Sequence, residues 1–345
     1  MPHEAYMKRC FDLARLGAGN VSPNPMVGAV LVHGDRIIGE GFHQQYGHAH
    51  AEVNAVNNVR SKDKGLLSEA TLYVSLEPCC IYGKTPPCTN LIIENHIPHV
   101  VISCLDHTPG VAGKGVEMLR KAGIKVTTGV LEAEGQRLSA IRNTFVTRQR
   151  PYVILKFAQT KDHFFGPEDG SQFWITNAYS KRLVHRWRSE VDAILVGTQT
   201  ALNDNPELTN RLYFGKSPLR VVLDRTLRLP KTLSLFNGES PTLVFTEKPA
   251  VPAKGNVAYR SLPFDQNLIS EILKELATRK CTSLLVEGGA KVMQDFLKAG
   301  LWDEARVFTG EKHLLRGITA PTLPVAPSFS QPLAGDVMEV YFNQQ

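Results

Sequence analysis

Apolar positions along this chain recur at two periods, one helical and one extended. Near the start, Tyr6, Cys10, Leu13 and Ala14 share one face at helical spacing and Gly17 to Asn20 closes the run, which predicts a helix over 4–16. Two short apolar runs follow at 26–32 and 36–42, separated by His33-Gly34-Asp35, a hairpin-like turn. A helix is expected from about His50. Strands are then predicted at 70–76, 99–104 and 124–129, interleaved with helices at 86–95 and 116–122 and followed by one over 132–148.

Past TRQRP the alternation restarts: PYVILKFAQT, a helix over 178–188, VDAILVG, LRVVLD, TLVFT, a helix over 268–278, SLLVEGG and a helix after Gly289. Strands alternating with helices indicate α/β architecture with helices covering a sheet. A chain of 345 residues exceeds the usual single-domain size. The second set of strands needs its own core, so the break is placed near residues 147–151, giving expected domains 1–148 and 149–345.

Composition narrows the class. With 43% hydrophobic and 21% charged residues the chain can fill a core, which excludes disorder, collagen-like repeats and a small disulfide scaffold. The net charge of +6 arises from 39 basic against 33 acidic residues without a basic block. That mild excess suits phosphorylated small molecules and falls short of a nucleic-acid footprint. MPHEAYMKRCFDLARLGAG lacks the apolar run of a signal peptide, and no 18-residue apolar stretch follows, so no membrane partner and a cytoplasmic location are expected.

The cysteines change the picture most. Cys79, Cys80 and Cys88 crowd together while Cys10, Cys104 and Cys281 stand alone, a placement that reads as metal or catalysis rather than disulfides. A zinc deaminase needs three His or thiolate ligands, an open fourth position, and a carboxylate beside it that is not a ligand. His50-Ala51-Glu52 and Pro78-Cys79 supply those parts in that order. The usual continuation C-x-x-C is missing, and adjacent thiols point apart, which leaves Cys88 as the third ligand. Thr85-Pro86-Pro87-Cys88 reads as an N-cap, a first-turn proline and a thiol in that turn. Alone, each residue has a plainer role as a small buried thiol or a satisfied imidazole; the spacing points to one zinc ion per chain. Zinc makes water nucleophilic at neutral pH and Glu52 is placed to move its proton, so the expected chemistry is hydrolytic deamination of an aminated heterocycle.

The spaced string Ser22-Pro23-Asn24-Pro25, Val27-Gly28, His50-Ala51-Glu52, Glu77-Pro78-Cys79, Gly83 to Cys88 and Gly113-Lys114-Gly115 resembles the bifunctional riboflavin biosynthesis deaminase/reductase family. Trp174-Ile175-Thr176, Asp192 to Gly197, Asp204 to Arg211, Arg220 to Asp224 and Val286 to Gly289 extend the resemblance over nearly the whole chain. It implies a cytidine-deaminase-like N-terminal domain and a C-terminal domain similar to dihydrofolate reductase. It also implies deamination of 2,5-diamino-6-ribosylamino-4(3H)-pyrimidinone 5′-phosphate, then NADPH-dependent reduction of its ribosyl group to ribityl.

Carried over by position, the resemblance makes His50, Cys79 and Cys88 the zinc ligands, Glu52 the proton shuttle, and Asn24, His43 and Lys84 substrate contacts. In the second half, Ala158, Trp174, Thr200, Asp204, Gly288 and Gly289 fall where the family meets NADPH. Arg188, Leu208, Arg211 and Glu287 fall at substrate positions, the arginines for its phosphate. Arg225 is a candidate for the cofactor's 2′-phosphate, and a homo-oligomer is the expected assembly.

Four departures from the family pattern stand out. Ile81 replaces a histidine in EPCxHxG, Thr108 replaces the asparagine of Asp-Pro-Asn-Pro, Thr160 to His163 replaces S-L-D-G, and Gln172 replaces a small hydroxyl residue. They raise one alternative, an active reductase joined to a deaminase that is impaired or altered in substrate. A tRNA-type base deaminase is disfavoured by the absence of C-x-x-C and of a strongly basic surface.

Overall fold

The computed structural model describes residues 2–83, 86–249 and 251–343, which form two compact units, Met1–Gln149 and Arg150–Gln345. The first unit runs α1 (Pro2–Arg15), β1 (Gly28–His33), β2 (Arg36–Phe42), α2 (Ala51–Asn57), β3 (Thr71–Leu76), α3 (Cys88–Glu94), β4 (His99–Cys104), α4 (Lys114–Lys121), β5 (Lys125–Thr128), α5 (Glu132–Leu138) and α6 (Ala140–Arg148). Among the described residues its strands make one sheet in the order β2-β1-β3-β4-β5. β1 is antiparallel to β2 and β3, while β3, β4 and β5 are parallel.

Side chains of successive strand residues go to opposite faces, and both faces are covered. Ala29, Leu31, Leu72, Val74, Val100 and Ile102 pack with Ala51 and Ala55 of α2, Ile92 of α3 and Leu119 of α4. Their neighbours Val30, Val32, Tyr73 and Val101 pack with Met7, Cys10 and Phe11 of α1. Burial on two faces is why these strands read as continuous apolar runs rather than as alternating ones. Gly41 of β2 lets α2 lie directly on the strand, since a Cβ there would collide with the backbone of Ala51 and Ala55. That seating fixes the start of α2, where His50 and Glu52 stand.

The second unit runs β6 (Tyr152–Gln159), β7 (Phe164–Gly166), α7 (Ala178–Glu190), β8 (Ala193–Val196), α8 (Thr198–Asp204), β9 (Leu219–Leu223), β10 (Thr242–Thr246) and β11 (Val257–Ser261). It continues with α9 (Leu268–Thr278), β12 (Ser283–Val286), α10 (Ala290–Ala299), β13 (Glu304–Thr309), β14 (Ile318–Thr319), β15 (Phe329–Leu333) and β16 (Asp336–Phe342). Among the described residues the main sheet has the order β11-β10-β9-β8-β12-β6-β13-β16-β15. Its strands are parallel from β11 through β13 and antiparallel at β16 and β15. Every second residue of β6, Val153, Leu155 and Phe157, joins a core with Leu195, Val221, Phe245, Leu284 and the inner faces of α9 and α10. Asn177 caps α7 by accepting from Ser180 N at 3.0 Å.

Several expectations need correction. The helix predicted over 132–148 is two helices, interrupted at Ser139. Cys88 opens α3 with Pro87 as its N-cap; Thr85, expected in that role, lies outside the described residues. Strands β7, β11 and β13 to β16 and helix α8 went unanticipated.

Candidate active sites

In the first unit the ends of β3, α2 and α3 converge. His50 is the N-cap of α2, Cys79 follows β3 by three residues and Cys88 begins α3. His50 Nδ1 lies 3.5 Å from Cys79 Sγ and 3.3 Å from Cys88 Sγ, and the three donor atoms lie within 4.8 Å of one another. Donors bonded to zinc at about 2.0–2.3 Å stand roughly 3.5 Å apart along a tetrahedron's edges, so the trio fits that ion. All six cysteines are free thiols. Cys80 Sγ is not part of the donor group, and Cys10, Cys104 and Cys281 are buried away from it.

The electrostatics suit a cation. A hydrogen bond from Cys88 lowers the Cys79 thiol, against desolvation and helped by His50, while the same bond and burial raise Cys88. The pair is thus split, with Cys79 favouring the thiolate and Cys88 the thiol. Glu52 is 3% exposed; burial and then the charge of Cys79 push its carboxyl up, and His50 opposes them.

A cavity opens beside these groups, lined by Asn24, His43, His50, Glu52, Cys79 and Ile81 among others. His43 is 2% exposed; its Nδ1 meets Ala49 O at 3.0 Å and its Nε2 meets Asn24 Nδ2 at 3.1 Å. A carbonyl on one nitrogen and an amide donor on the other define a neutral ring with its proton on Nδ1. Burial lowers the ring's pKa and keeps it neutral. Lys84, the remaining expected contact, lies outside the described residues. Glu77 of the same motif accepts from the amides of Asp106 at 3.2 Å, Gly113 at 2.9 Å and Val116 at 3.1 Å, tying the next loop to the end of β3.

The second unit carries another cavity. Ala158, Trp174, Thr200, Asp204, Arg188, Leu208, Arg211, Glu287 and Gly288 all line it. Gly289 is the N-cap of α10 and lies just beyond the lining. A Cβ on Gly289 would come within 3.0 Å of Thr200 Oγ1, and one on Gly288 within 3.0 Å of Val292, so this turn presents bare backbone, as a dinucleotide requires. Arg188 and Glu287, expected to meet different parts of the substrate, form one buried ion pair with N–O distances of 2.9 and 2.8 Å. Arg188 also donates to Thr209 O at 3.2 Å. Arg211 pairs with Glu207 and its side chain is 44% exposed. Arg225 pairs with Glu247 at 2.8 Å and does not line the cavity.

Lys156 and His185 are among the lining residues that sequence reasoning missed. Lys156 projects from β6, and burial lowers its pKa while Glu287 raises it. A lysine inside the apolar run PYVILKFAQT was the available signal. His185 of α7 is 2% exposed and accepts from Arg211 N at 3.0 Å; burial, then Arg188 and Arg211, hold its pKa at about 4.

Residues 1–104 match the family model for the cytidine and deoxycytidylate deaminase zinc-binding region, and residues 151–323 match that for the RibD C-terminal domain. The riboflavin biosynthesis protein RibD of Aquifex aeolicus is 40% identical over 324 residues, covering 93% of this chain and 90% of that protein. Its counterpart from Bacillus amyloliquefaciens is 41% identical over 350 residues, covering 99% and 92%. The crystal structure of a Thermotoga maritima diaminohydroxyphosphoribosylaminopyrimidine deaminase/5-amino-6-(5-phosphoribosylamino)uracil reductase superposes with a TM-score of 0.90 at 39% identity, covering 99% of each chain. Among the described residues no helix is long and apolar enough to cross a membrane. Matched along nearly its whole length, with a zinc-binding deaminase half and a reductase half, the chain belongs to the RibD family of bifunctional riboflavin biosynthesis enzymes.

Proposed function

We propose that residues 1–148 deaminate 2,5-diamino-6-ribosylamino-4(3H)-pyrimidinone 5′-phosphate and that residues 149–345 reduce the ribosyl group of the product to ribityl with NADPH. The observation that carries the first step is the buried Glu52 beside three zinc-type donors at the wall of a cavity. His50, Cys79 and Cys88 would hold one zinc ion, which when bound supplies the Lewis acidity that makes water nucleophilic at neutral pH.

The chain's own groups do the rest. Glu52, its carboxyl raised by burial, takes a proton from water and passes it to the ring nitrogen, then to the exocyclic amine as it departs as ammonia. Asn24 and the neutral His43, bonded to each other, orient the pyrimidine and keep it from rotating. Ile81 and Thr108 change the edge of this pocket and leave Glu52 and the donors in place, which favours a working deaminase over an impaired one.

In the second unit Ala158, Trp174, Thr200, Asp204 and the Gly288-Gly289 turn would hold NADPH, which when bound supplies the reducing equivalents. Lys156, beside Glu287, is the proton donor to the sugar oxygen released on reduction. Arg211 at the rim meets the substrate phosphate, while Arg188, held by Glu287 and the Thr209 carbonyl, orders the pocket wall with Leu208.

The test is a coupled assay: purified zinc-loaded protein is incubated with the diaminopyrimidinone phosphate, with and without NADPH. The expected products are the deaminated ribosyl compound without the cofactor and the ribityl compound with it. Absence of ammonia release would overturn the first assignment, and absence of NADPH oxidation on supplied deaminated intermediate would overturn the second.

A further inference from the structure

The first cavity has a charge imbalance that the deamination chemistry does not use. Three carboxylates line it, Glu52, Glu77 and Asp106, and among the described lining residues Arg142 is the one lysine or arginine. The carboxylates are occupied: Glu77 by three backbone amides, Asp106 by Thr108 N at 2.7 Å, and Glu52 at the donor cluster.

Arg142 reaches the cavity from α6, far in sequence from the zinc motif. Its Nη1 donates to Pro23 O at 3.1 Å and its Nη2 to Thr108 Oγ1 at 3.1 Å, both neutral acceptors. Its Nε is sealed from solvent and makes no hydrogen bond. Among the described residues no carboxylate accepts from it. A guanidinium offers five N–H groups, so most of its donating capacity is unused, and leaving a half-buried guanidinium with unpaired donors is costly. Burial lowers its pKa, with Asp106 opposing. The two bonds it makes fix the fork between the Pro23-Asn24 turn and Thr108, so it is held in place before any ligand arrives.

We propose that Arg142 is the anion-binding residue of this cavity and takes the 5′-phosphate of the deaminase substrate, an inference that rests on the deaminase reading given above. A phosphate supplies the parallel acceptors that a planar guanidinium fits. The same residue excludes unphosphorylated nucleosides by affinity, since without the phosphate its remaining N–H groups stay unpaired.

The experiment compares deamination of the phosphorylated diaminopyrimidinone with that of its dephosphorylated riboside, using full-length zinc-loaded wild type, Arg142→Gln and Arg142→Lys. For Arg142→Gln the KM of the phosphorylated substrate should rise about 10–100-fold, the loss expected for a charge-assisted hydrogen bond. The KM of the riboside, the zinc content and the reductase rate should stay as in wild type, and Arg142→Lys should recover part of the loss. An equal KM rise for both substrates would show a structural or ring contact and overturn the proposal, as would no rise for either. Wild type that deaminates neither compound would overturn the deaminase reading itself, and this inference with it.

Discussion

The backbone amide of Cys88 donates to the Sγ of Cys79 across 3.3 Å, so the second thiol of the donor cluster opens a helix whose first N–H already stabilises the first thiol as a thiolate. Nine positions apart in sequence, the two thiols meet at the point where a metal would bind. Zinc binding requires both thiols deprotonated, so retention should weaken as pH falls and the ligands reprotonate. Elemental analysis should find zinc in wild type and in Cys80→Ser but less than about half as much in Cys88→Ser, given that outer residues tune a site while ligands make it. Equal zinc in all three proteins would remove Cys88 from the ligand set.

The two chemistries should separate by mutation. Glu52→Gln keeps the zinc donors and removes the proton carrier, so deamination should fall by about 10²–10⁴-fold with reduction intact. Lys156→Met should do the reverse, sparing deamination. Stopped reduction in Glu52→Gln, measured on supplied intermediate, would contradict independent sites.

The Arg188–Glu287 pair predicts a pH dependence. Burial would raise the Glu287 carboxyl, but Arg188 and then Lys156 overcome it and hold it at about 2, against an ordinary 4.5. A carboxyl lowered in the folded state contributes stability above its unfolded value, and that contribution is lost as pH falls from 4.5 towards 2. Glu287→Gln should therefore melt well below wild type at neutral pH, by about 3 kcal/mol, and match it near the acid end of that range. Melting curves of both proteins across this pH range test it, and a gap independent of pH would refute the electrostatic origin.

His163 adopts φ +62° in the turn between β6 and β7, where the related motif carries glycine. The left-handed region costs a non-glycine residue roughly 1–2 kcal/mol, offset in part by the greater unfolded freedom of glycine. His163→Gly should raise the second unit's melting temperature by about 1–3 °C. A lower melting temperature would mean that the imidazole makes a compensating contact.

The zinc site was legible because its ligands are chemically distinctive and sit at ends of elements that the pattern marks: β3, predicted over 70–76, runs Thr71–Leu76, and α2, expected from about His50, begins at Ala51. Arg142 was not legible, because nothing in the polar helix 140–148 marks the one residue whose guanidinium turns into a cavity built by segments more than thirty positions away. The C-terminal strands were hidden for another reason. β13 buries a charged pair, with Arg306 Nε donating to Glu304 at 2.6 Å, so its sequence lacks an apolar run. β15 is an exposed edge strand containing Pro332, a residue such edges tolerate. The break at Ser139 carries no glycine or proline to announce it.

β16 is an inner strand of its sheet, bonded to β13 on one side and β15 on the other. The nascent chain therefore cannot finish the second sheet until Phe342 has left the ribosome, whereas every strand of the first sheet is available once Thr128 has emerged. At translation rates of about 5–20 residues per second, that is a head start of roughly 10–40 s. The donor cluster can be assembled and metallated while the other half is still being made, and a frameshift just ahead of Asp336 would leave the first unit whole while stripping the second of an interior strand.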